Sequence, residues 1–284
     1  MLFTPTIQLL RIPFSFFLMP VFLFALSQAQ SFSWVKILFV FGVLHILVYP
    51  ASNAYNSYMD QDEGSIGGLK HPPKADRSLF YLTIVKDITA ILVSCFINLD
   101  FAIGILLYIL ASRAYSYRGI RLKKYPFAGY LTVVLFQGAF TFHICSVVFG
   151  APEHAWIAAV ACSFLIAGVY PLTQIYQHEA DRKDGVKTIS MVVGYIGTFI
   201  LTVAMFTVAM IVLFVFFQQT GKPEHFWILQ GFMIPVVGYF MYWFQQTWKD
   251  PNAANFENTM RMNLISSICM NACFTLLTIL NLTS

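Results

Sequence analysis

Charge is what this sequence has least of. Lys and Arg number 17 and Asp and Glu 13 in 284 residues, so 11% of the chain is charged, where soluble domains carry about 25%. That scarcity excludes an ordinary soluble enzyme. The chain also lacks short segments of alternating polarity, which excludes a membrane β-barrel. It has five cysteines but no CxxC pair; Cys269 and Cys273, one helical turn apart, read as small core residues rather than a disulfide or metal site. Neither a low-complexity linker nor a separate polar domain interrupts the chain.

What it has in abundance is apolar residues, 58% of the total, with a mean hydropathy of +0.69. They fall in continuous runs near 13–29, 35–54, 79–98, 100–114, 126–149, 155–175, 189–217, 226–247 and 262–281. Roughly 20 such residues cross a bilayer. The expectation is an all-α, polytopic membrane bundle of about nine helices, with residues 1–284 forming one domain. The weakest break is between the third and fourth runs, at Asn98 and Asp100. The stretch "ALSQAQS" after the first run looks like a signal-peptide cleavage site, but the charge pattern works only if that run is retained.

With the N-terminus in the cytoplasm, the inner side carries Arg11, then Lys70, Lys74 and Arg77, then Arg113, Arg118, Arg121, Lys123 and Lys124, then Arg182, Lys183 and Lys187, and last Lys249 and Arg261. The outer side has only Lys36 and Lys222. Positive residues favour the cytoplasmic side, so this asymmetry predicts both the span count and the orientation. It places the chain in a bacterial-type inner membrane. Topology alone accounts for Arg113 and Lys249.

It does not account for the acids. Six of the 13 lie in two stretches on that same side: Asp60, Asp62 and Glu63, then Glu179, Asp181 and Asp184. Asn56, Asp60 and Glu63 stand at i, i+4 and i+7, one face of a helix if the second run continues. Gln177, Asp181 and Asp184 repeat those offsets, and a glycine follows each set, Gly64 and Gly185. Mg²⁺ takes oxygen ligands, usually one or two carboxylates plus phosphate oxygens of a substrate. Two facing clusters of this kind could hold Mg²⁺ and a diphosphate. Lys70 and Lys74 follow the first cluster, and Arg182 and Lys187 the second, where they would balance phosphate charge. A third polar stretch on the same face, "SRAYSYRGIRLKKYP", joins tyrosines to a dense run of cations.

At these stretches the sequence resembles the UbiA-type superfamily of intramembrane prenyltransferases. "NSYMD" resembles the first family motif, Asn-x-x-x-Asp. "QHEADRKDGVKT" resembles the second, DxEGDxxxGxxT, and "YSYRGIRLKKYP" resembles the intervening basic connection. "RIPFSFFLMP" resembles the first helix, with Arg11 matching. The resemblance covers nearly the whole chain in the right order. It implies nine transmembrane helices and a Mg²⁺-dependent transfer from an isoprenoid diphosphate to a small acceptor, usually aromatic, as in quinone biosynthesis. It implies metal roles for Asn56, Asp60, Glu179 and Asp181, with Asp60 and Asp181 central to catalysis.

The chain departs from the pattern twice. Gly64 stands where the family often has an acid, which leaves that ligand to Glu63 or Asp62. Gln177 stands where the second motif usually has Asp, so that site leans on Asp181, Glu179 or Asp184. Lys70, Lys74, Tyr115, Arg121, Lys123, Arg182 and Lys187 are the expected diphosphate partners. Gln137 and His143, polar residues within the fifth run, are candidates for the acceptor. The departures keep open a terpene cyclase, in which the prenyl chain's own double bonds attack the cation. A transporter would place acids near the midplane, and these cluster at one membrane face. No feature points to nucleic acid.

Overall fold

The computed structural model describes residues 4–61, 64–150 and 152–283, and among them the chain is helical with no β-strand. The helices are α1 (Pro5–Phe17), α2 (Met19–Ser27), α3 (Trp34–Asp60), α4 (Arg77–Ile97), α5 (Leu99–Ser116), α6 (Pro126–Phe149), α7 (Ala155–Lys183), α8 (Ile189–Gln219), α9 (Pro223–Lys249) and α10 (Phe256–Thr283). Among the described residues, α3 to α10 are 8 helices long and apolar enough to cross a membrane, and α1 with α2, bent by 42°, make up to 9. This agrees with the count read from the apolar runs and makes the chain an integral membrane protein.

Local chemistry sets the breaks. Pro20 lies in the first turn of α2, where its missing N–H costs nothing; within a continuous helix it would remove a backbone bond. The third and fourth runs separate where the sequence suggested. Asn98 is extended at φ −169° and its side-chain oxygen accepts from the N–H groups of Asp100 and Phe101 at 2.7 and 3.1 Å, an N-cap for α5. Asp76 caps α4 in the same way through Leu79 N–H at 3.2 Å. Bonds from the Ser78 hydroxyl and the Leu79 N–H hold its carboxyl below the usual range.

Two spans carry π-helical stretches, Gly42–Val48 in α3 and Val134–Phe140 in α6. Such a bulge leaves backbone groups off register. In α6 they are met by one side chain of α7: Ala139 N–H donates to Ser163 Oγ at 3.1 Å, and that hydroxyl donates to Val134 O at 3.1 Å. The close approach needs Gly138, where a Cβ would sit 2.6 Å from Ser163 Cα. Gly138→Ala is therefore expected to push α6 off α7 and cost about 1–3 kcal/mol, read as a lower unfolding midpoint in detergent. Gly231→Ala, where a Cβ meets nothing within 4 Å, should leave the midpoint unchanged or slightly raised.

Arg113 proves to be more than a topology signal. Its guanidinium Nε donates to Asp87 at 2.9 Å and its carbon lies 3.8 Å from the centroid of the Tyr55 ring. Both charges are largely buried, with 17% and 12% of the side chains exposed. An arginine at this depth requires a partner, and α4 supplies it one helix away.

Candidate active site

The polar connections meet at one end of the bundle. Lys70, in the α3–α4 connection, is paired with Glu257 at the start of α10. Arg118, in the α5–α6 connection, donates to Met59 O at 2.7 Å. Gln177 of α7 donates to Ser65 O at 3.4 Å. Arg11 donates to Gly67 O at 3.1 Å and Asn53 O at 2.9 Å. Gly67 lies against the Phe14 ring, 2.7 Å from where a Cβ would be, so a larger residue there would lift the connection off α1.

Behind this end runs a cavity of about 330 Å³. Helix α3 does continue through the first motif: it ends at Asp60, with Gln61 left-handed at φ 53° and its N–H returned to Ser57 O at 3.0 Å. Asn56 and Asp60 thus share a face, and both line the cavity. Ser116 donates to Asn56 Oδ1 at 2.9 Å, aligning the amide oxygen. Across the cavity α7 tightens to a 3₁₀ turn at Ile175–Gln177 and resumes as α-helix over His178–Lys183. That break brings Gln177 and Asp181, again i and i+4, onto the same cavity.

The basic connection between α5 and α6 bridges the two motifs. Lys123 Nζ donates to Asp60 Oδ2. Arg121 donates to Asp184 Oδ2, and its Nη2 lies 3.7 Å from Asp60 Oδ1. Arg118 lies 3.7 Å from Asp184. The Asp60 side chain is only 4% exposed, and its Oδ1 is buried with no hydrogen-bond partner. A buried carboxylate oxygen left without a partner costs free energy, so this one is poised to receive a cation or a donor.

Tyr115, Lys123 and Gln137 also line the cavity, and the Tyr115 and Tyr170 hydroxyls are hydrogen-bonded to each other. Other expected site residues lie elsewhere. Asp184 turns to Arg121 rather than into the cavity. Glu179 is exposed; two residues from Asp181 on a helix with 3.6 per turn, it points away. Arg182 and Lys187 line a separate surface pocket with His178. Lys70 is occupied by Glu257 and Lys74 is exposed, so neither closes the cavity. His143 is exposed on α6, on a different face from Gln137, and does not reach an acceptor in the cavity. Asp62 and Glu63 lie outside the described residues. Among the described residues no three His, Cys, Asp or Glu side chains gather closely enough to hold a metal by themselves.

Sequence reasoning assigned no site role to Arg11, Asn53, Tyr170, Thr173 or Ser267, all of which line the cavity. A signal existed for the α7 members, since Thr173 and Tyr170, four and seven residues before Gln177 inside an apolar span, mark the face it shares.

The family model for UbiA prenyltransferases matches residues 16–265. The chain belongs to the UbiA prenyltransferase family. Solved relatives share the UbiA fold across nearly their whole length. A UbiA homologue from Archaeoglobus fulgidus, solved bound to DMAPP and Mg²⁺, is 18% identical with a TM-score of 0.74, covering 97% of this chain and 99% of that one. An apo UbiA homologue from Aeropyrum pernix is 16% identical with a TM-score of 0.69, covering 94% and 98%. A digeranylgeranylglyceryl phosphate synthase is 16% identical with a TM-score of 0.64, covering 99% and 98%. Among curated proteins none matches the sequence.

Proposed function

We propose that this UbiA-family protein transfers the prenyl group of a prenyl diphosphate to a small, lipophilic, aromatic acceptor, with Mg²⁺ as cofactor. The observation that carries the reading is the Asp60 carboxylate oxygen, buried without a hydrogen-bond partner on the cavity that Asp181 also lines. The donors at that end suit Mg²⁺: oxygens only, two of them carboxylates, with room left for phosphate oxygens. Asn56, Asp60, Gln177 and Asp181 would hold it. Mg²⁺, when bound, neutralises charge developing on the leaving diphosphate.

The chain's own groups do the rest. Lys123, held on Asp60, can turn its ammonium to a phosphate oxygen, and Arg121 stands beside it. The Tyr115 hydroxyl can donate to the same group. Apolar walls keep water from the allylic centre once the diphosphate departs. Farther along, Asn263 and Ser267 of α10 and Gln137 of α6 offer hydrogen bonds inside the cavity, which suits an acceptor with polar substituents better than a substrate that reacts with itself. In this reading the whole chain works as one domain. The excess of Lys and Arg on the connections at the motif end turns that end to the cytoplasm, in a bacterial-type inner membrane.

The test is to incubate purified protein with Mg²⁺ and prenyl diphosphates of several lengths, with and without aromatic acceptors, and to identify the lipid products. A prenylated acceptor is expected. A cyclic hydrocarbon formed without acceptor would replace transfer by cyclisation, and the absence of any diphosphate turnover would overturn both.

A further inference from the structure

The cavity's far end is built as carefully as its polar end. Met260, Asn263, Ser267, Met270 and Phe274 line it from α10 at alternating spacings of three and four, one continuous helical stripe. At about 1.5 Å per residue the stripe carries the cavity roughly 21 Å along α10. Helix α7 follows the same course, with Thr173 and Gln174 near the motif end giving way to Ile166, Leu165 and Cys162. The lining thus passes from polar to apolar with distance from Asp60 and Asp181.

Two rings stand at that apolar end. Phe24 of α2 and Phe274 stack with centroids 4.7 Å apart and planes 23° apart, and both line the cavity. Behind Phe24 stand Phe142, Phe216 and Phe217, with centroids at 5.3, 6.0 and 6.3 Å. All five are buried. A ring backed by three others cannot turn aside without opening a void or crowding its neighbours, and a close-packed interior resists both.

We infer that the Phe24–Phe274 pair is the stop that sets the longest prenyl chain the protein accepts. The inference rests on the prenyl diphosphate reading above. With the diphosphate held at the motif end, the tail extends past the polar part of the cavity, along Cys162, Leu165, Ile166 and Met270, toward the rings. Each further isoprene unit gains apolar burial until the tail meets the stack, and the next has no room.

Binding tests this without knowledge of the acceptor. The full-length protein in detergent, with Mg²⁺, is titrated calorimetrically with non-cleavable thiodiphosphate analogues of the dimethylallyl, geranyl, farnesyl, geranylgeranyl and longer polyprenyl series. Wild-type affinity should rise with length to an optimum and fall by roughly tenfold at the next length, a difference of about 1.4 kcal/mol. Phe24→Ala and Phe274→Ala should each move the optimum to a longer chain. Phe24→Leu should move it the same way by less, and decides the matter if the alanine variants do not fold. Cys162→Phe, which adds a ring to the same cavity from α7, should move it shorter. Wild-type affinity that keeps rising through the longest analogue overturns the stop, as does a folded set of variants that keeps the wild-type optimum. Failure of the wild type to bind any analogue overturns the prenyl diphosphate reading itself.

Discussion

Asp60→Asn and Asp181→Asn should each lower prenyl diphosphate turnover by at least about a hundredfold, the scale on which removing one group that stabilises developing charge is felt. The substitution keeps the side chain's size and one oxygen but removes the negative charge that would hold Mg²⁺. Asp60→Asn should have a second effect. Asp60 also receives Lys123, with Arg121 3.7 Å away, and its loss leaves two largely buried cations facing an amide. Asp60→Asn is therefore expected to unfold earlier on heating as well, so its turnover is to be read per folded protein. Glu179→Gln, on the exposed side of the same short helix, should retain nearly full turnover. Turnover within a few-fold of wild type for either aspartate variant, measured per folded protein, would remove that residue from the site.

Arg121→Ala should carry a large cost in stability. The Arg121 side chain is 11% exposed and joins Asp184, from the end of the second motif, to the edge of the first. Removing one partner of a buried ion pair typically costs about 3–5 kcal/mol, because the remaining charge is left uncompensated; the 33% exposure of Asp184 puts this case at about 3 or below. The same substitution removes the side chain of the basic connection that reaches the carboxylates of both Asp60 and Asp184, so the KM for the prenyl diphosphate should rise more than kcat falls. Arg121→Lys should recover only part of either effect, since a single ammonium cannot reproduce the guanidinium's fork. An alanine variant with an unchanged unfolding midpoint and unchanged KM would show that the bridge joins the motifs in geometry without contributing energy.

Several features were written locally and could be read without a fold. The apolar runs predict the spans because a bilayer core demands about 20 consecutive apolar residues wherever they occur. Asn98 marks the break between α4 and α5 because an N-cap is made by a residue with its own near neighbours. Asn56 with Asp60, and Gln177 with Asp181, could be paired on helical faces from spacing alone, and both pairs line the cavity.

What the tertiary structure decided was the direction of everything longer or farther apart. Lys70, Lys74, Arg182 and Lys187 follow the acids closely in sequence. Yet a flexible cation goes where the fold offers a partner or solvent, and Lys70 went to Glu257, far along the chain. Lys123 and Arg121 became the bridging pair because packing of α5 and α6 against α3 and α7 brought their connection across both motifs. Gln137 and His143 looked alike as polar residues in one span; the bulge at Val134–Phe140, with Gly138 against Ser163, turned the first inward and left the second on the outer face. The stop formed by Phe24 and Phe274 was invisible among 29 phenylalanines, because a ring's neighbours come from distant helices and only their packing makes it a wall. The sequence by itself determined the membrane class, the number of spans and the two oxygen-bearing faces, since each depends on residues within a few turns of one another. The cavity's depth, its aromatic end and the choice of cations at its mouth depend on contacts between remote segments, and these exist only once the helices have packed.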